Sequence, residues 1–307
     1  MSLVKTTTRI VAILLASIIA FVIAGFLLVR NLNREMAGIE DDFKDVKLEE
    51  IIAFAERSNS AYHEAKIFRH EFGAHFEDGE FPISGLRVYL DADPAASEQW
   101  VVLRGTANLS NIFDDLDFAG REEHELGINV HKGFDLALQE CLPWIVQRLD
   151  KTRPVRITGH SLGGSVAALL VATLDHRGYA DVSAITFGQP KFTDSHGADK
   201  LARLKILRIV HDEDPVPLLP PVDVEGASLA IYHHSGPEVI IRADGHFYYQ
   251  PGHLTGRIDV TRYWQDLGNV RPMSHDMVRG YLPALKSALK SSLVRAPETP
   301  PPAASSP

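Results

Sequence analysis

The longest run of apolar positions in the chain is Ile10 to Val29, IVAILLASIIAFVIAGFLLV, with Lys5 and Arg9 before it and Arg30 and Arg34 after it. At about 1.5 Å per helical residue this run spans roughly 30 Å, the thickness of a bilayer's hydrocarbon layer. A cleaved signal peptide has an apolar region of only about 7 to 15 residues followed by a small-x-small site, and no clear site stands near Ala24 and Gly25. The pattern therefore predicts an uncleaved membrane anchor over 10–29, behind an N-terminal flank of 1–9. Secretion after cleavage is the alternative. Basic residues flank the run on both sides, so the orientation rule gives only a slight preference, for a cytoplasmic N-terminus and an extracytoplasmic remainder.

Residues 30–47 are polar and acidic and read as a juxtamembrane linker. From Leu48 the pattern changes, with Leu48, Ile51, Ile52, Ala55 and Tyr62 at helical spacing, which predicts an amphipathic helix. Short apolar runs then alternate with helical segments: strands are expected at 85–90, 100–105, 155–159, 182–188, 205–211 and 238–243, and a helix over 165–174. Such alternation predicts an α/β domain over 48–290, built on a mainly parallel central sheet flanked by helices. Residues 291–307, ending in APETPPPAASSP, are too proline-rich and apolar-poor to pack and are read as a disordered tail.

Composition narrows the function. The 40 acidic residues exceed the 31 basic ones, for a net charge of -9, and no basic stripe exists to track phosphates, so nucleic acid is not an expected partner. Cys141 is the single cysteine, which excludes an internal disulfide framework and a cysteine zinc site. No motif indicates a metal, nucleotide or flavin, so no cofactor is expected.

One short stretch carries chemistry. Gly159-His160-Ser161-Leu162-Gly163 fits the G-x-S-x-G pattern, with a strand before it and an apolar helix after it, as that pattern requires. A serine on such a sharp turn sits in a strained backbone, and residues two positions to either side collide with their neighbours unless they are very small. Gly159 and Gly163 meet that demand, and the turn presents Ser161 as a nucleophile. Chance alone produces the match in about one chain in ten of this length, so its partners decide. His160 is the nearest histidine, but adjacent side chains on such a turn diverge, and it is assigned a structural role.

A serine hydroxyl needs a histidine base and a carboxylate to orient it, and in α/β hydrolases both follow the serine, acid first. The loop after the strand at 205–211 offers Asp212, Glu213 and Asp214, stiffened by Pro215 and Pro217. Asp214 is the expected acid, and its two neighbours are read as solvated loop charge. Among the late histidines only His275 stands well past the last strand, at the start of the helical pattern HDMVRGYLPAL, and it is the expected base. His246 and His253 are read as packing or turn residues.

LRGTANL, NIFDDLDF, VHKGF, GHSLGG, ITFGQPKFTD, HDEDPVPLLPP and SHDMVRGYL follow one another in this order, and over roughly residues 50 to 285 the chain resembles the class 3, fungal-lipase-like α/β hydrolases. The resemblance implies the same triad of Ser161, Asp214 and His275. It also implies an oxyanion hole formed by Thr106 and the main-chain N–H of Leu162, and assigns His131 to the scaffold. Fungal members cover the site with a lid directly after the oxyanion motif. Here Leu109, Ile112, Phe113 and Leu116 fall at i, i+3, i+4 and i+7, as a lid requires, although an ordinary core-packing helix has the same stripe. Ile112 stands where a tryptophan is common in the family.

The implied function is a membrane-anchored serine hydrolase that cleaves carboxylic esters of lipids, of the tri-, di- or monoacylglycerol lipase type. The alternatives within enzymes are a phospholipase A1, a short-chain carboxylesterase or an acyltransferase. From another class, the alternative is a catalytically silent, membrane-held lipid-binding protein. The expected partners are an acyl-ester substrate and the bilayer.

Overall fold

The computed structural model describes residues 47–105, 119–220, 222–223, 230–250 and 272–295. The helix expected from Leu48 forms as α1, Leu48–Ser60, and buries Leu48, Ile51, Phe54 and Ala55 along one stripe. Glu49 and Glu50 occupy its first turn, where carboxylates suit the positive end of the helix dipole. Tyr62 falls just beyond the helix. A second short helix, α2 (Ala65–Phe72), follows and buries Phe68.

The chain then builds a sheet through β1 (Glu77–Phe81), β2 (Leu86–Asp91) and β3 (Gln99–Arg104). A separate hairpin pairs β4 (Gly120–Glu123) with β5 (Ile128–His131). Next come α3 (Lys132–Val146), β6 (Val155–His160), α4 (Leu162–His176), β7 (Val182–Phe187), α5 (Ser195–Leu201) and β8 (Lys205–His211). A short pair, β9 (Val222–Asp223) with β10 (Ala230–Ile231), precedes β11 (Glu238–Ile241) and β12 (Phe247–Gln250). Helix α6 (Leu282–Arg295) is the last described element.

The main sheet has eight strands in the order β1-β2-β3-β6-β7-β8-β11-β12. Pairing is parallel from β3 through β6, β7 and β8 to β11, and antiparallel at both edges. The parallel strands are near-continuous apolar runs because both faces are covered. On one face Val155, Ile157, Ala184 and Ile206 pack with α3 and α4; on the other, Ile185, Phe187, Ile209, Val239 and Ile241 pack with α1 and α6. In this arrangement the C-terminal ends of β6, β7 and β8 lie side by side, and loops there gather side chains that are distant in sequence.

Two expectations change. The boundary at 290 falls inside α6, which continues to Arg295, because Leu285 and Ala288 bury one face of the helix and carry it on. Strand β1, EDGEF, carries no apolar alternation and was not expected; it forms by backbone pairing along β2. Among the described residues no helix is long and apolar enough to cross a membrane, and the expected anchor at 10–29 lies outside them, as does the tail beyond 295.

One buried ion pair ties the strands that end beside the site. Arg208 on β8 and Glu238 on β11 are register partners, fully or nearly fully buried, with Nη2 donating to Oε2 at 2.9 Å. Replacing Glu238 by Gln strands the guanidinium, which is expected to lower the unfolding free energy by about 3–5 kcal/mol. The double replacement Arg208→Met with Glu238→Leu is expected to fall near the wild type. Chemical denaturation of the three proteins checks this, and equal losses in the single and double variants contradict it.

Candidate active site

Strand β6 ends at His160 and α4 begins at Leu162, so Ser161 alone makes the turn between them. It is the only non-glycine residue with positive φ among the described residues, at φ 59° and ψ -133°. Such a conformation costs about 1–3 kcal/mol and persists only where the surroundings enforce it. Here they do: a Cβ on Gly159 would lie 2.2 Å from the Gly163 carbonyl oxygen, and one on Gly163 would lie 2.2 Å from that of Leu103 on β3. Ser161 N–H donates to the Phe187 carbonyl at 2.9 Å, which fixes the turn to β7.

The Ser161 hydroxyl oxygen is buried and makes no hydrogen bond to the described residues. Leu162 is the first helical residue, so its N–H has no intrahelical acceptor and is available to an anion. Gly105 abuts this amide, since a Cβ there would stand 3.2 Å from Leu162 N. Thr106, the next residue, lies outside the described residues, as do Leu109, Ile112, Phe113 and Leu116 of the expected lid.

Asp214 and His275 meet as expected. His275 Nδ1–H donates to Asp214 Oδ2 at 2.8 Å, and both residues are buried. Asp214 also accepts the Val216 N–H on Oδ1 at 2.9 Å and the Tyr281 hydroxyl on Oδ2 at 2.5 Å. The Tyr281 oxygen in turn accepts the His211 N–H at 3.2 Å, which leaves its proton directed at the aspartate. Burial by itself raises the Asp214 carboxyl, but the His275 charge, the His275 and Tyr281 hydrogen bonds and the Val216 N–H outweigh it. The carboxyl is held below its ordinary range. With Nδ1 donating to the aspartate, the other ring nitrogen, Nε2, is buried and makes no hydrogen bond to the described residues; in the neutral tautomer it carries the lone pair. Ser161 Oγ and His275 Nε2 are thus both buried without a hydrogen bond to the described residues.

Sequence reasoning missed two contributors. Gly188, at the end of β7, has φ 54°, and a Cβ on it would fall 2.8 Å from His275 Nδ1 and 2.9 Å from Asp214 Oδ2. Its signal was the glycine closing the apolar run VSAITFG. Tyr281 stands in SHDMVRGYL, and its distance of 67 residues from Asp214 in sequence concealed it. The start of that helix also differs from expectation: Asp276 caps a π-turn over Met277–Tyr281, accepting the Val278 and Arg279 N–H groups, before α6 begins.

Asp212 and Glu213, read as solvated loop charge, are in fact partnered. Asp212 pairs with Arg242 at 3.2 Å, and Glu213 accepts the Ser274 hydroxyl at 3.2 Å, joining the loops of the acid and the base. His246 sits in an exposed turn with Asp244, and His253 lies outside the described residues. His131 is buried and stacked on Phe134 at 4.2 Å between centroids, a packing position. Among the described residues no group of three or more His, Cys, Asp or Glu side chains is placed to hold a metal ion.

A mainly parallel sheet with a serine on a strained strand-to-helix turn, followed in sequence by Asp214 and His275, has the form of the α/β-hydrolase fold. Solved structures agree on the fold: the triacylglyceride lipase of Rhizomucor miehei matches with TM-score 0.62 and 20% identity, covering 78% of this chain and 96% of that one. Lipase II of Rhizopus niveus matches with TM-score 0.52 and 21% identity, over 63% and 80% of the two chains. Residues 100–224 match the model of the lipase (class 3) family. Secreted mono- and diacylglycerol lipase 1 of Fusarium solani is 32% identical over 165 residues, covering 50% of this chain and 47% of its own length. Phospholipase A1-II 4 of Oryza sativa subsp. japonica is 28% identical over 175 residues, 45% of this chain and 44% of its own. The match thus spans less than half the length of each of these relatives.

The packing makes two outcomes measurable. Gly188→Ala forces the His275–Asp214 pair apart and is expected to lower kcat by about 100-fold, with a smaller change in KM; steady-state kinetics decide it. Stability should also fall with acid on account of His160, whose imidazole burial, chiefly, pushes down to about 3. The unfolded chain binds a proton at about pH 6.5 that the native state refuses. The stabilising contribution is therefore complete above about pH 6.5 and is lost progressively as pH falls toward about 3. Denaturation of wild type and His160→Gln at pH 7 and pH 4.5 should show the smaller loss in the variant.

Proposed function

We propose that the protein is a cofactor-independent serine hydrolase that cleaves carboxylic esters of lipids. The observation that carries this reading is the buried Asp214–His275 hydrogen bond, which leaves Nε2 unpaired, together with the strained turn at the C-terminal end of β6 that holds Ser161 with its hydroxyl unpaired. Ser161 attacks the ester carbonyl while His275 Nε2 takes its proton, and Asp214 holds the imidazole and stabilises the imidazolium. The developing oxyanion is met by the Leu162 N–H and by Thr106; losing one such donor typically costs about 3–4 kcal/mol of barrier. His275 then protonates the leaving alcohol, and water, activated by the same histidine, releases the acid from the acyl-enzyme.

A lipid substrate is supported by the family of residues 100–224 and by the Fusarium relative, named for mono- and diacylglycerols. A phospholipase A1 reading has support from the rice relative. In this proposal the apolar segment 10–29 anchors the enzyme in a bilayer, concentrating it with membrane-partitioned esters, and 109–116 acts as the lid over the site.

Purified full-length protein assayed on p-nitrophenyl esters, acylglycerols and phospholipids tests the reading. Ser161→Ala is expected to lower kcat by about 10⁵–10⁶ and to abolish fluorophosphonate labelling; retained hydrolysis refutes the assignment. Release of lysophospholipid identifies the phospholipase reading, and release of glycerides and fatty acid the acylglycerol one. Alkaline carbonate washing should leave the full chain in the membrane pellet and release a chain beginning at about residue 40; release of the full chain contradicts the anchor.

A further inference from the structure

His160 neighbours the proposed nucleophile but is not free to act as a base, because both ring nitrogens are engaged. Nε2 lies 2.7 Å from the main-chain oxygen of His275. A carbonyl oxygen only accepts, so Nε2 carries the proton. With its imidazole pushed down to about 3, chiefly by burial, His160 is neutral at ordinary pH. Nδ1 therefore keeps its lone pair and accepts the Tyr62 hydroxyl at 2.7 Å. A one-way chain results, from the Tyr62 hydroxyl into His160 and from His160 into the backbone of His275.

The two ends of this chain are secured. Just before Tyr62, the Ser58 hydroxyl lies 2.7 Å from Thr158 Oγ1 on β6, and the Thr158 hydroxyl donates to the Ile185 carbonyl on β7 at 2.8 Å. The Thr158 oxygen is thereby an acceptor for Ser58, which fastens the end of α1 to the strand that carries Ser161. At the other end the His160 ring lies against the His275 ring, with centroids 4.4 Å apart and planes at 34°. Tyr281, the aspartate's hydroxyl partner, meets the same ring edge-on at 6.0 Å.

We propose that His160 is a positioning residue: it fixes the main chain and ring plane of His275 relative to the serine turn, using Tyr62 to hold its own ring in the donating tautomer. The proposal rests on the hydrolase reading above. One hydrogen bond from Nδ1 to Asp214 leaves the His275 ring free to pivot about that contact and leaves its backbone unfixed. The bond from His160 to the His275 carbonyl supplies a second fixed point, on the same strand end as the nucleophile. A neutral ring at this distance also places no positive charge beside the imidazolium that forms on His275 during the reaction.

The test uses full-length protein, a soluble p-nitrophenyl ester and a fluorophosphonate probe, with rates expressed per active site titrated by the probe. His160→Phe keeps a ring but removes both hydrogen bonds; kcat and the labelling rate constant should fall together by about 10- to 100-fold, with KM within about twofold. His160→Gln restores an N–H donor toward the carbonyl and should recover much of that loss. Tyr62→Phe should lower kcat in wild type and have no further effect in the His160→Phe background. Thermal melts establish that each variant is folded. An unchanged per-site rate in His160→Phe, or a loss that Gln does not relieve in a folded protein, overturns the positioning role. Absence of labelling in the wild type sinks the hydrolase reading, and the positioning role with it.

Discussion

The site depends on a steric constraint: no side chain fits at Gly159 or Gly163. The start of α4 approaches β3 and β6 so closely that a single methyl would meet backbone oxygen at 2.2 Å in either place. This contact forces the chain to reverse direction within one residue, and Ser161 takes the left-handed conformation because nothing else connects the strand to the helix. The strain is offset by packing on α4, whose residues Val166 to Leu174 are all buried, the polar Thr173 among them. Rigid packing of an apolar helix thus fixes one hydroxyl and one helix N-terminus at the C-terminal end of the central strands.

The second ingredient is electrostatic. Asp214 is a fully enclosed carboxylate, and an enclosed charge is tolerable only when its lone pairs are met. His275, Tyr281 and the Val216 N–H meet them. The arrangement is directional, since the His211 N–H turns the Tyr281 hydroxyl toward the aspartate, and the aspartate turns the His275 proton away from the serine. Gly188 lets β7 end against this pair without intruding on it. Ser161, Gly188 and Asp214 follow the ends of β6, β7 and β8, and His275 and Tyr281 reach them from the turns before α6.

Much of this was legible in the chain. Strand β8 was readable to the residue, because KILRIVH is an apolar run interrupted only by Arg208, with polar ends. The elbow was readable because its chemistry requires small residues at fixed spacing, and Asp214 because prolines mark a stiff loop after a strand. His275 was readable from its place beyond the last strand. Strand β1 was not, since EDGEF has no apolar alternation and its pairing with β2 and its partners Arg69, Arg87 and Trp144 come from elsewhere in the chain. Helix α3 was also passed over, with Pro143 inside it interrupting the pattern of a helix that burial of Phe134, Leu138 and Leu142 nevertheless sustains.

The sequence by itself determined the α/β class and the serine turn, and it singled out Asp214 and His275, which meet in the structure, because periodicity and steric spacing act over a few residues. Only the tertiary structure decided that His160 spans 115 residues to the His275 carbonyl, that Tyr281 supports Asp214, and that Glu213 is tied to Ser274. Hydrogen bonds of this kind depend on which strand ends lie side by side. That order is set by packing across the whole sheet, and no local pattern records it.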